Sequence, residues 1–306
     1  MKKTIFVLSL MIFAYLKINA QFTIIMSTAD SLRENGDLAG AIEEFKKIFA
    51  KEPNNQLNIY NYACALSVTR QADSAFKYLT IAIDMDTMIA PLTDPDFLYI
   101  RENPKWDLFE KKLIFMLQKK INKPCKDIEY AKKLWKMQAL DQAYYSDIDI
   151  AEKKIGMKST VVIALWDLKD RINKQNQIEL EQLIESKGWP KKTEVGEQAA
   201  SAAFLIIQHS DNEKQKKYLP VIKKLCEQNE ADWQSYALMY DRIQVYDNKP
   251  QKYGSQITYN DQTKKYELLP LEDETKVDEW RKEIGLVPLS DYVSQWGIEL
   301  TPKKKK

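Results

Sequence analysis

The chain has 306 residues, 44% of them hydrophobic and 29% charged, which is the composition of a globular protein with room for two modest domains. Only eight glycines, set among many lysine, glutamate, alanine and leucine residues, favour helix over strand. The 46 basic side chains are balanced by 44 acidic ones and form no clustered stripe, which excludes a nucleic-acid surface. One histidine and no Cys-x-x-Cys pair argue against a metal site, and no cofactor is predicted.

The first twenty residues have the pattern of a secretory signal peptide. Lys2 and Lys3 form a positive start, residues 5–16 are apolar, and Ala20 supplies the small residue that signal peptidase requires. This apolar stretch is too short for a bilayer, which needs about 20 residues, although an uncleaved anchor is the alternative. We expect an exported protein, periplasmic or secreted, that is cleaved near Ala20-Gln21 and has no transmembrane segment. Without the three lysines of this segment, 43 basic side chains remain against 44 acidic ones.

A 34-residue periodicity organises the next part of the chain. Two sets of residues occupy corresponding positions: Ala29, Leu32, Gly36, Ala41, Phe45, Ile48 and Pro53, then Ala63, Leu66, Arg70, Ala75, Leu79, Ala82 and Thr87. Five of the seven positions keep a small or apolar residue, as helices that pack in pairs require. The second set departs at Arg70 and Thr87. The pattern resembles the tetratricopeptide repeat (TPR) over residues 22–88.

Residues 94–109 resemble the capping helices that often follow such repeats. Asp94 can cap a helix with Pro95 at its first position, and Phe97, Trp106 and Phe109 supply an apolar face. We therefore predict TPR-like repeats plus capping helices over residues 21–118. The resemblance implies a concave surface that binds a protein or peptide. The alternative is a platform on which a second domain packs.

Residues 119–126, which lack periodicity, are predicted to be a linker to a second domain at residues 127–300, and residues 301–306 form a basic tail. Helical patterns in the second domain cover residues 128–155, 161–186, 194–208, 218–228, 233–246, 277–284 and 289–296. The Lys and Glu side chains interleaved over residues 126–187 are predicted to lie on solvated helix faces. Residues 255–259 and 265–269 alternate as in a β-hairpin. The predicted fold class is mainly α, with TPR-like helical hairpins followed by an α-helical domain with one small β-hairpin.

Several polar motifs follow one another in the second domain. They are Gly188-Trp-Pro190, Gln208-His209, Asp241-Arg242 and Gln251-Lys-Tyr-Gly-Ser-Gln256. Together they resemble a bacterial family of domains of unknown function with Gly-Trp-Pro, Gln-His, Asp-Arg and Gln-x-Tyr-Gly-Thr-Gln motifs, over about residues 130–293. Ser255 stands where the family has Thr, and this change keeps the hydroxyl group. The resemblance names the domain and implies no activity.

His209 is the first catalytic candidate, because it is the only imidazole in the chain and an imidazole can act as general acid or base near neutral pH. The alternative is a structural histidine at the C-terminus of a helix. Asp241 and Arg242 complete the candidate catalytic set. Arg242 could clamp a carboxylate or phosphate, or it could form a structural ion pair that holds the Gln251 loop, and we favour the ion pair.

The ligand-binding candidates are Trp189, Gln208, Gln251, Tyr253 and Gln256. Glutamines beside a tyrosine suit the recognition of amide or sugar hydroxyl groups, but they equally suit the satisfaction of backbone groups in a buried turn. Within this turn, Gly254 should adopt a backbone conformation that only glycine tolerates.

Two functions compete. The first is an exported interaction protein that binds a protein or peptide through the repeat and carries a second domain of undetermined activity. The alternative is a hydrolase-like enzyme with a polar pocket around His209. In that enzyme, Asp241, Arg242 and Gln256 should converge on the imidazole.

The chain has three cysteines, Cys64, Cys125 and Cys226. Either Cys125 and Cys226 form a disulfide beside one free thiol, or all three are thiols. The sequence makes no prediction of oligomeric state.

Overall fold

The computed structural model describes residues 27–122, 124–260 and 262–300. It is mainly helical with one two-stranded antiparallel sheet, which confirms the predicted fold class. The described residues form two compact units, which meet in sequence at Ser210 and Asp211. The predicted signal peptide, its cleavage point and the predicted basic tail lie outside the described residues.

Four helices open the first unit in two pairs. They are α1 (Thr28–Glu34), α2 (Leu38–Lys51), α3 (Gln56–Val68) and α4 (Ala72–Met85). The start and end of α4 lie 34 residues after those of α2, and the end of α3 lies 34 residues after that of α1. The two pairs therefore repeat in the backbone as well as in the sequence.

The turns within the two pairs have the same geometry, although their sequences differ. Gly36 and Arg70, which are 34 residues apart, both adopt left-handed backbone conformations, with φ of 77° and 63°. The amide nitrogens of the residues that follow them donate to Leu32 in one pair, at 2.8 Å, and to Leu66 in the other, at 2.9 Å. Arg70 thus takes a conformation that favours glycine, so the departure in sequence at this position is not a departure in structure.

Small residues allow the helices of each pair to approach closely. Ala29, Ala41, Ala63 and Ala75 are fully buried. Phe45 fills the space beside α3, where its ring stacks on that of Tyr62 with centroids 5.9 Å apart. These contacts bury apolar surface between the helices, which is the main source of their stability.

A short irregular segment and two helices follow the repeat. Two 3₁₀ turns, Ala90–Leu92 and Pro95–Phe97, lead into α5 (Leu98–Arg101) and α6 (Lys105–Ile121). The Asp94 side chain accepts from the backbone amide of Asp96 at 2.9 Å, so it caps this segment as the sequence predicts. Helix α6 continues through the first three residues of the predicted linker.

Five helices complete the first unit: α7 (Ile128–Gln142), α8 (Tyr145–Ile155), α9 (Thr160–Lys187), α10 (Lys192–Val195) and α11 (Glu197–Gln208). The sequence predicted one helical stretch over residues 128–155. The structure breaks it at Tyr144, whose φ of 70° cannot continue a right-handed helix. Helices α7, α9 and α11 pack on one another. Alanine-rich α11 is largely buried.

The second unit begins with α12 (Asn212–Glu227) and α13 (Trp233–Tyr246), which pack together. Strands β1 (Ile257–Asn260) and β2 (Lys265–Leu268) form the predicted hairpin, with Ile257 opposite Leu268. Helices α14 (Val277–Glu283) and α15 (Leu289–Ser294) close the unit around a small apolar core. In the part of the chain that the structure describes, no helix is both long and apolar enough to cross a membrane.

Candidate functional site

Asp141 and His209 form a hydrogen-bonded pair in the first unit. Asp141 lies in the last turn of α7, and His209 follows the last residue of α11. Nδ1 of the imidazole lies 2.9 Å from each carboxylate oxygen. The Asp141 side chain is 1% exposed and that of His209 is 12% exposed. Because a carboxylate only accepts hydrogen bonds, this contact places a proton on Nδ1.

This arrangement leaves Nε2 of His209 available as a hydrogen-bond acceptor. In the neutral ring, a proton on Nδ1 leaves a lone pair on Nε2. Among the described residues, no hydrogen bond of the structure involves Nε2. Asp141 is itself held, since the neighbouring Gln142 side chain donates to its carboxylate at 2.6 Å. The pair therefore has the arrangement of a carboxylate that orients an imidazole base.

A lysine and a tyrosine border the pair. Lys169 is 1% exposed, and its ammonium group donates to the carbonyl oxygens of Leu140, at 3.3 Å, and of Asp141. The same nitrogen lies 4.5 Å from the centroid of the Tyr145 ring. That ring meets the imidazole of His209 edge to face, with centroids 6.4 Å apart. Burial lowers the pKa of Lys169 to about 8, and the charge of Asp141 opposes this shift.

The middle of α9 presents a buried polar stripe to the same region. Asn176 donates to the carbonyl oxygen of Met137 at 2.9 Å, and Gln177 donates to that of His209 at 3.4 Å. The side-chain oxygen of Asn173 is buried and accepts no hydrogen bond within the described residues. With Lys169, these amides make one face of α9 polar where it is buried against its neighbours.

Asp141 and Lys169 were not among the site residues predicted from the sequence. The lysines of residues 126–187 were predicted to lie on solvated helix faces. Lys169 is a correction to that prediction, because it is buried. The position of Asp141 in the helical pattern does indicate that it is buried. Asp141 follows Leu134 and Met137 by seven and four residues, so it falls on the buried side of α7, where the pattern calls for an apolar residue. A charged residue at such a position is either paired or functional.

Asp241 has a different environment, in the second unit. It lies on α13, is fully buried, and its carboxylate accepts from the backbone amides of Lys252 at 2.8 Å, Tyr253 at 3.0 Å and Ser255 at 2.9 Å. Burial raises the pKa of Asp241, against the lowering effect of these amides. The carboxylate thus holds a loop, a role that the sequence assigned to an ion pair of Arg242.

The glutamines of this loop also bond to the backbone. Gln251 is fully buried, donates to the carbonyl oxygens of Gln256 and Leu269 at 2.9 Å each, and accepts from the amide of Gln256 at 2.7 Å. Arg281, which the sequence did not single out, is 2% exposed and donates to the carbonyl oxygen of Tyr253 at 2.6 Å. These bonds satisfy the Gln251 side chain and hold the loop, whereas Oε1 of Gln256 is buried and accepts no hydrogen bond within the described residues.

Gly254 confirms its predicted conformation, with φ of 69°. A Cβ at this position would lie 2.5 Å from a methyl carbon of Leu289, so the site also lacks room for a side chain. The loop is therefore shaped by packing against α15 as well as by hydrogen bonds.

The remaining sequence candidates are distributed between the two units. Trp189 and Gln208 are 8% and 6% exposed in the first unit, and Tyr253 and Gln256 are 6% and 1% exposed in the second. Arg242 is half-buried on α13, beside Asp241. The carboxylate that contacts His209 is that of Asp141, and that of Asp241 serves the loop.

All three cysteines are present as thiols in the structure. Within the described residues, Cys64, Asp94 and Asp96 form the one cluster of potential metal ligands, with ligand atoms within 4.8 Å of one another. Hydrogen bonds explain this cluster: the Tyr60 hydroxyl donates to Asp94 at 2.7 Å, and Arg33 pairs with Asp96. Burial raises the pKa of the Cys64 thiol well above its usual value, so the thiol keeps its proton.

The same cluster covers one face of the repeat. Tyr60, Cys64 and Ser67 lie along α3, and each contacts Asp94 or Asp96. The ring of Phe97, which is fully buried, packs edge to face on that of Tyr60 with centroids 5.6 Å apart. Residues 94–97 of the chain itself therefore occupy this surface of α3.

Comparison with known proteins finds a family for the C-terminal part of the chain. Residues 129–299 match the model of DUF6624, a family of unknown function, and this range includes Asp141, Lys169, His209 and Asp241. No curated protein and no solved structure matches the chain. The match confirms the predicted C-terminal domain of unknown function. Because it covers more than half of the 306 residues, the protein belongs to the DUF6624 family.

Proposed function

We propose that this protein is a hydrolase-like enzyme in which His209 is the general base and Asp141 orients it. One observation carries the proposal: the Asp141 carboxylate contacts Nδ1 of the imidazole at 2.9 Å through both oxygens. The proposal keeps the predicted role of His209. It replaces Asp241 by Asp141, because the Asp241 carboxylate is occupied by backbone amides.

The chemistry follows from the protonation of the imidazole. Nε2 accepts a proton from a water molecule, and the water oxygen forms a bond to the electrophilic carbon or phosphorus of the substrate. The bond to the leaving group then breaks, and the proton passes from Nε2 to the leaving group. The negative charge of Asp141 stabilises the imidazolium ion between these two steps. Asp141 remains ionised throughout.

The test relies on the fact that His209 carries the only imidazole of the chain. The wild-type protein is screened against activated carboxylic esters, peptide amides and phosphate esters. His209→Gln and Asp141→Asn should each lower the rate of the hydrolysed class by about 10²–10⁴-fold, because one removes the base and the other allows the wrong tautomer. Asp149→Asn, at an exposed carboxylate of α8, is the matched control and should keep the wild-type rate.

The outcome that contradicts the proposal is an activity that survives His209→Gln. A second readout does not need a substrate. In ¹⁵N NMR spectra of the ring, the neutral imidazole should carry its proton on Nδ1, and the predominance of the other tautomer would exclude the proposed orientation.

We also propose that residues 21–118 are a TPR-like module with capping helices, as the resemblance implies. The 34-residue offset of the helices and the matched conformations of Gly36 and Arg70 support this proposal. Since residues 94–97 cover part of α3, we favour a packing platform over a protein- or peptide-binding groove. Peptide-array binding to the full chain should be weak, and Phe97→Ala, which exposes Tyr60, should not create a specific binder. Saturable binding by the wild-type protein would favour the groove.

We further propose that the protein is exported, on the pattern of residues 1–20 alone. Cell fractionation after expression should find it outside the cytoplasm. N-terminal sequencing should begin near Gln21. A cytoplasmic product that retains Met1 would contradict export.

A further inference from the structure

The position of Lys169 is unusual for a lysine. Its side chain is 1% exposed, on the part of α9 that packs against α7 and α8. A lysine is almost never fully buried unless it is paired, because the loss of hydration of its ammonium group costs several kcal/mol. The one carboxylate whose charge acts on this group is that of Asp141, among the residues that the structure describes. Because the burial of this ammonium group is costly, we infer that the Lys169 side chain has a specific role.

The contacts of Lys169 are concentrated on the backbone of Asp141. Its ammonium group donates to the carbonyl oxygens of Leu140 and Asp141. Both carbonyls belong to the last turn of α7, where backbone acceptors lack partners within the helix and the helix dipole favours a cation. Lys169 thus fixes the peptide group from which the Asp141 side chain projects.

The third contact of the ammonium group lies on the side of the imidazole. Its nitrogen is 4.5 Å from the centroid of the Tyr145 ring, and this ring packs edge to face on His209. A cation near an aromatic face is held there by the electron density of the ring. Lys169 is therefore connected to both members of the pair, to Asp141 through the backbone and to His209 through the Tyr145 ring, without touching the imidazole.

We propose that Lys169 is a positioning residue that holds Asp141 in the orientation in which its carboxylate receives the Nδ1 proton of His209. The proposal rests on the proposed function of the pair and deepens it. Lys169 contacts no reacting atom, so it sets the tautomer and direction of the imidazole and takes no proton from the substrate. Burial lowers the pKa of Lys169 to about 8, which leaves the ammonium group mostly charged at neutral pH.

The experiment compares two substitutions that each remove a buried hydrogen bond to α7. Lys169→Met removes the donor to Leu140 and Asp141. Asn176→Leu removes a donor to Met137, one turn earlier in the same helix, and is the matched control. Both variants are labelled with ¹⁵N at the single imidazole, and the neutral tautomers are quantified by NMR.

Lys169→Met should convert a ring protonated almost entirely on Nδ1 into a mixture with a substantial Nε2–H population, and Asn176→Leu should keep the wild-type spectrum. Where an activity has been found, Lys169→Met should also lower its rate by about 100-fold, as small misplacements of a catalytic group do. Lys169→Gln, whose amide can donate to the same carbonyls, should restore most of the Nδ1–H tautomer. It also provides a folded variant if Lys169→Met does not fold.

A wild-type tautomer ratio in Lys169→Met, or in Lys169→Ala if Met is not tolerated, overturns the positioning role. That result leaves the proposed function intact, since the role of His209 is tested by His209→Gln. Conversely, a protein without any hydrolytic activity could still show the tautomer change. The two proposals therefore fail by different measurements.

Discussion

Two buried aspartates, one in each compact unit, differ in what their carboxylates bind. Asp241 is fully buried and receives three backbone amides of the Lys252–Ser255 turn. Asp141 is 1% exposed and receives the imidazole of His209. Both carboxylates are satisfied, as buried charges must be. Only one of them is bonded to a group that can gain and lose a proton near neutral pH.

The difference shows why burial and charge alone do not identify a catalytic carboxylate. Backbone amides cannot release their protons, so a carboxylate bonded to them can only hold a loop in place. An imidazole can exchange its second proton with solvent or substrate while the carboxylate holds the first. The partner of the buried charge, and not the charge itself, therefore separates a structural site from a candidate catalytic one.

The structural role of Asp241 predicts a large loss of stability on truncation. Asp241→Ala leaves three buried amides without an acceptor, and each costs about 1–3 kcal/mol. We expect the free energy of unfolding to fall by about 4 kcal/mol in urea titrations. Asp291→Ala, at an exposed carboxylate of α15, should change it by less than about 0.5 kcal/mol. A loss below about 1 kcal/mol would show that the loop does not depend on Asp241.

A third carboxylate, which is partly buried, extends the comparison, because its partner is a guanidinium group. Asp96 pairs with Arg33 in the first unit. Arg33→Met leaves the Asp94 and Asp96 charges without this cation and should cost about 3 kcal/mol at pH 7.5 in urea titrations. Lys105→Ala, which removes an exposed pair with Asp73, should cost less than about 1 kcal/mol.

The cost of Arg33→Met should depend on pH in a defined direction. Burial and the charge of Asp94 raise the pKa of Asp96 to about 6, above its unfolded value, despite the attraction of Arg33. The folded state therefore binds a proton more readily than the unfolded state between about pH 4 and pH 6. As Asp96 becomes neutral below about pH 6, its need for Arg33 disappears and the cost should shrink. An equal cost at pH 5 and pH 7.5 would contradict this sign.

Lys169 gives a pH dependence of the opposite sign. Its folded pKa of about 8 is lower than the unfolded value, so the unfolded state binds more protons between about pH 8 and pH 10.5. The free energy of unfolding of the wild type, relative to Lys169→Met, should rise by about 3 kcal/mol across this window. The comparison with Lys174→Met, at an exposed lysine on the same helix, isolates the effect of burial. A constant difference between wild type and Lys169→Met would contradict the prediction.

A smaller effect on stability than that of Asp241→Ala is expected for Asp141→Asn. The oxygen of the new amide can still accept the Nδ1 proton of His209. Because the variant also removes the charge that acts on buried Lys169, the free energy of unfolding should fall by about 2 kcal/mol. The same variant is expected to lose its hydrolytic rate, as stated above. A loss of stability as large as that of Asp241→Ala would make Asp141 a structural residue and remove the contrast between the two sites.

Much of the fold follows from local patterns in the sequence. The 34-residue spacing of small residues predicted the paired helices, Gly188 marks the end of α9, and the alternation near residues 257–268 gave the hairpin. These features depend on backbone propensity and on periodicity within an element, which a single chain displays directly. The family resemblance of the second domain was likewise carried by short motifs in chain order, and the match over residues 129–299 confirms a domain of unknown function.

The candidate site, by contrast, depended on distances across the chain. His209 could be chosen because it is the only imidazole, but its partner Asp141 lies 68 residues earlier on a different helix. Nothing local distinguishes Asp141 from other acidic residues except its place on a buried face, and Asp241 carried a more conspicuous motif. Arg70 teaches the same lesson for the backbone, since its left-handed turn is imposed by the packing of α3 on α4 and not by its own preference.

The sequence by itself thus determined the helical class, the 34-residue spacing and the single imidazole of the chain. Tertiary structure alone decided which carboxylate contacts that imidazole, that Lys169 is buried, and that the Gln251–Gln256 loop is held by Asp241. The physical reason is that propensity and periodicity are local properties. The partner of a buried charge is set by which helices pack together and in which register, and this only the folded chain defines.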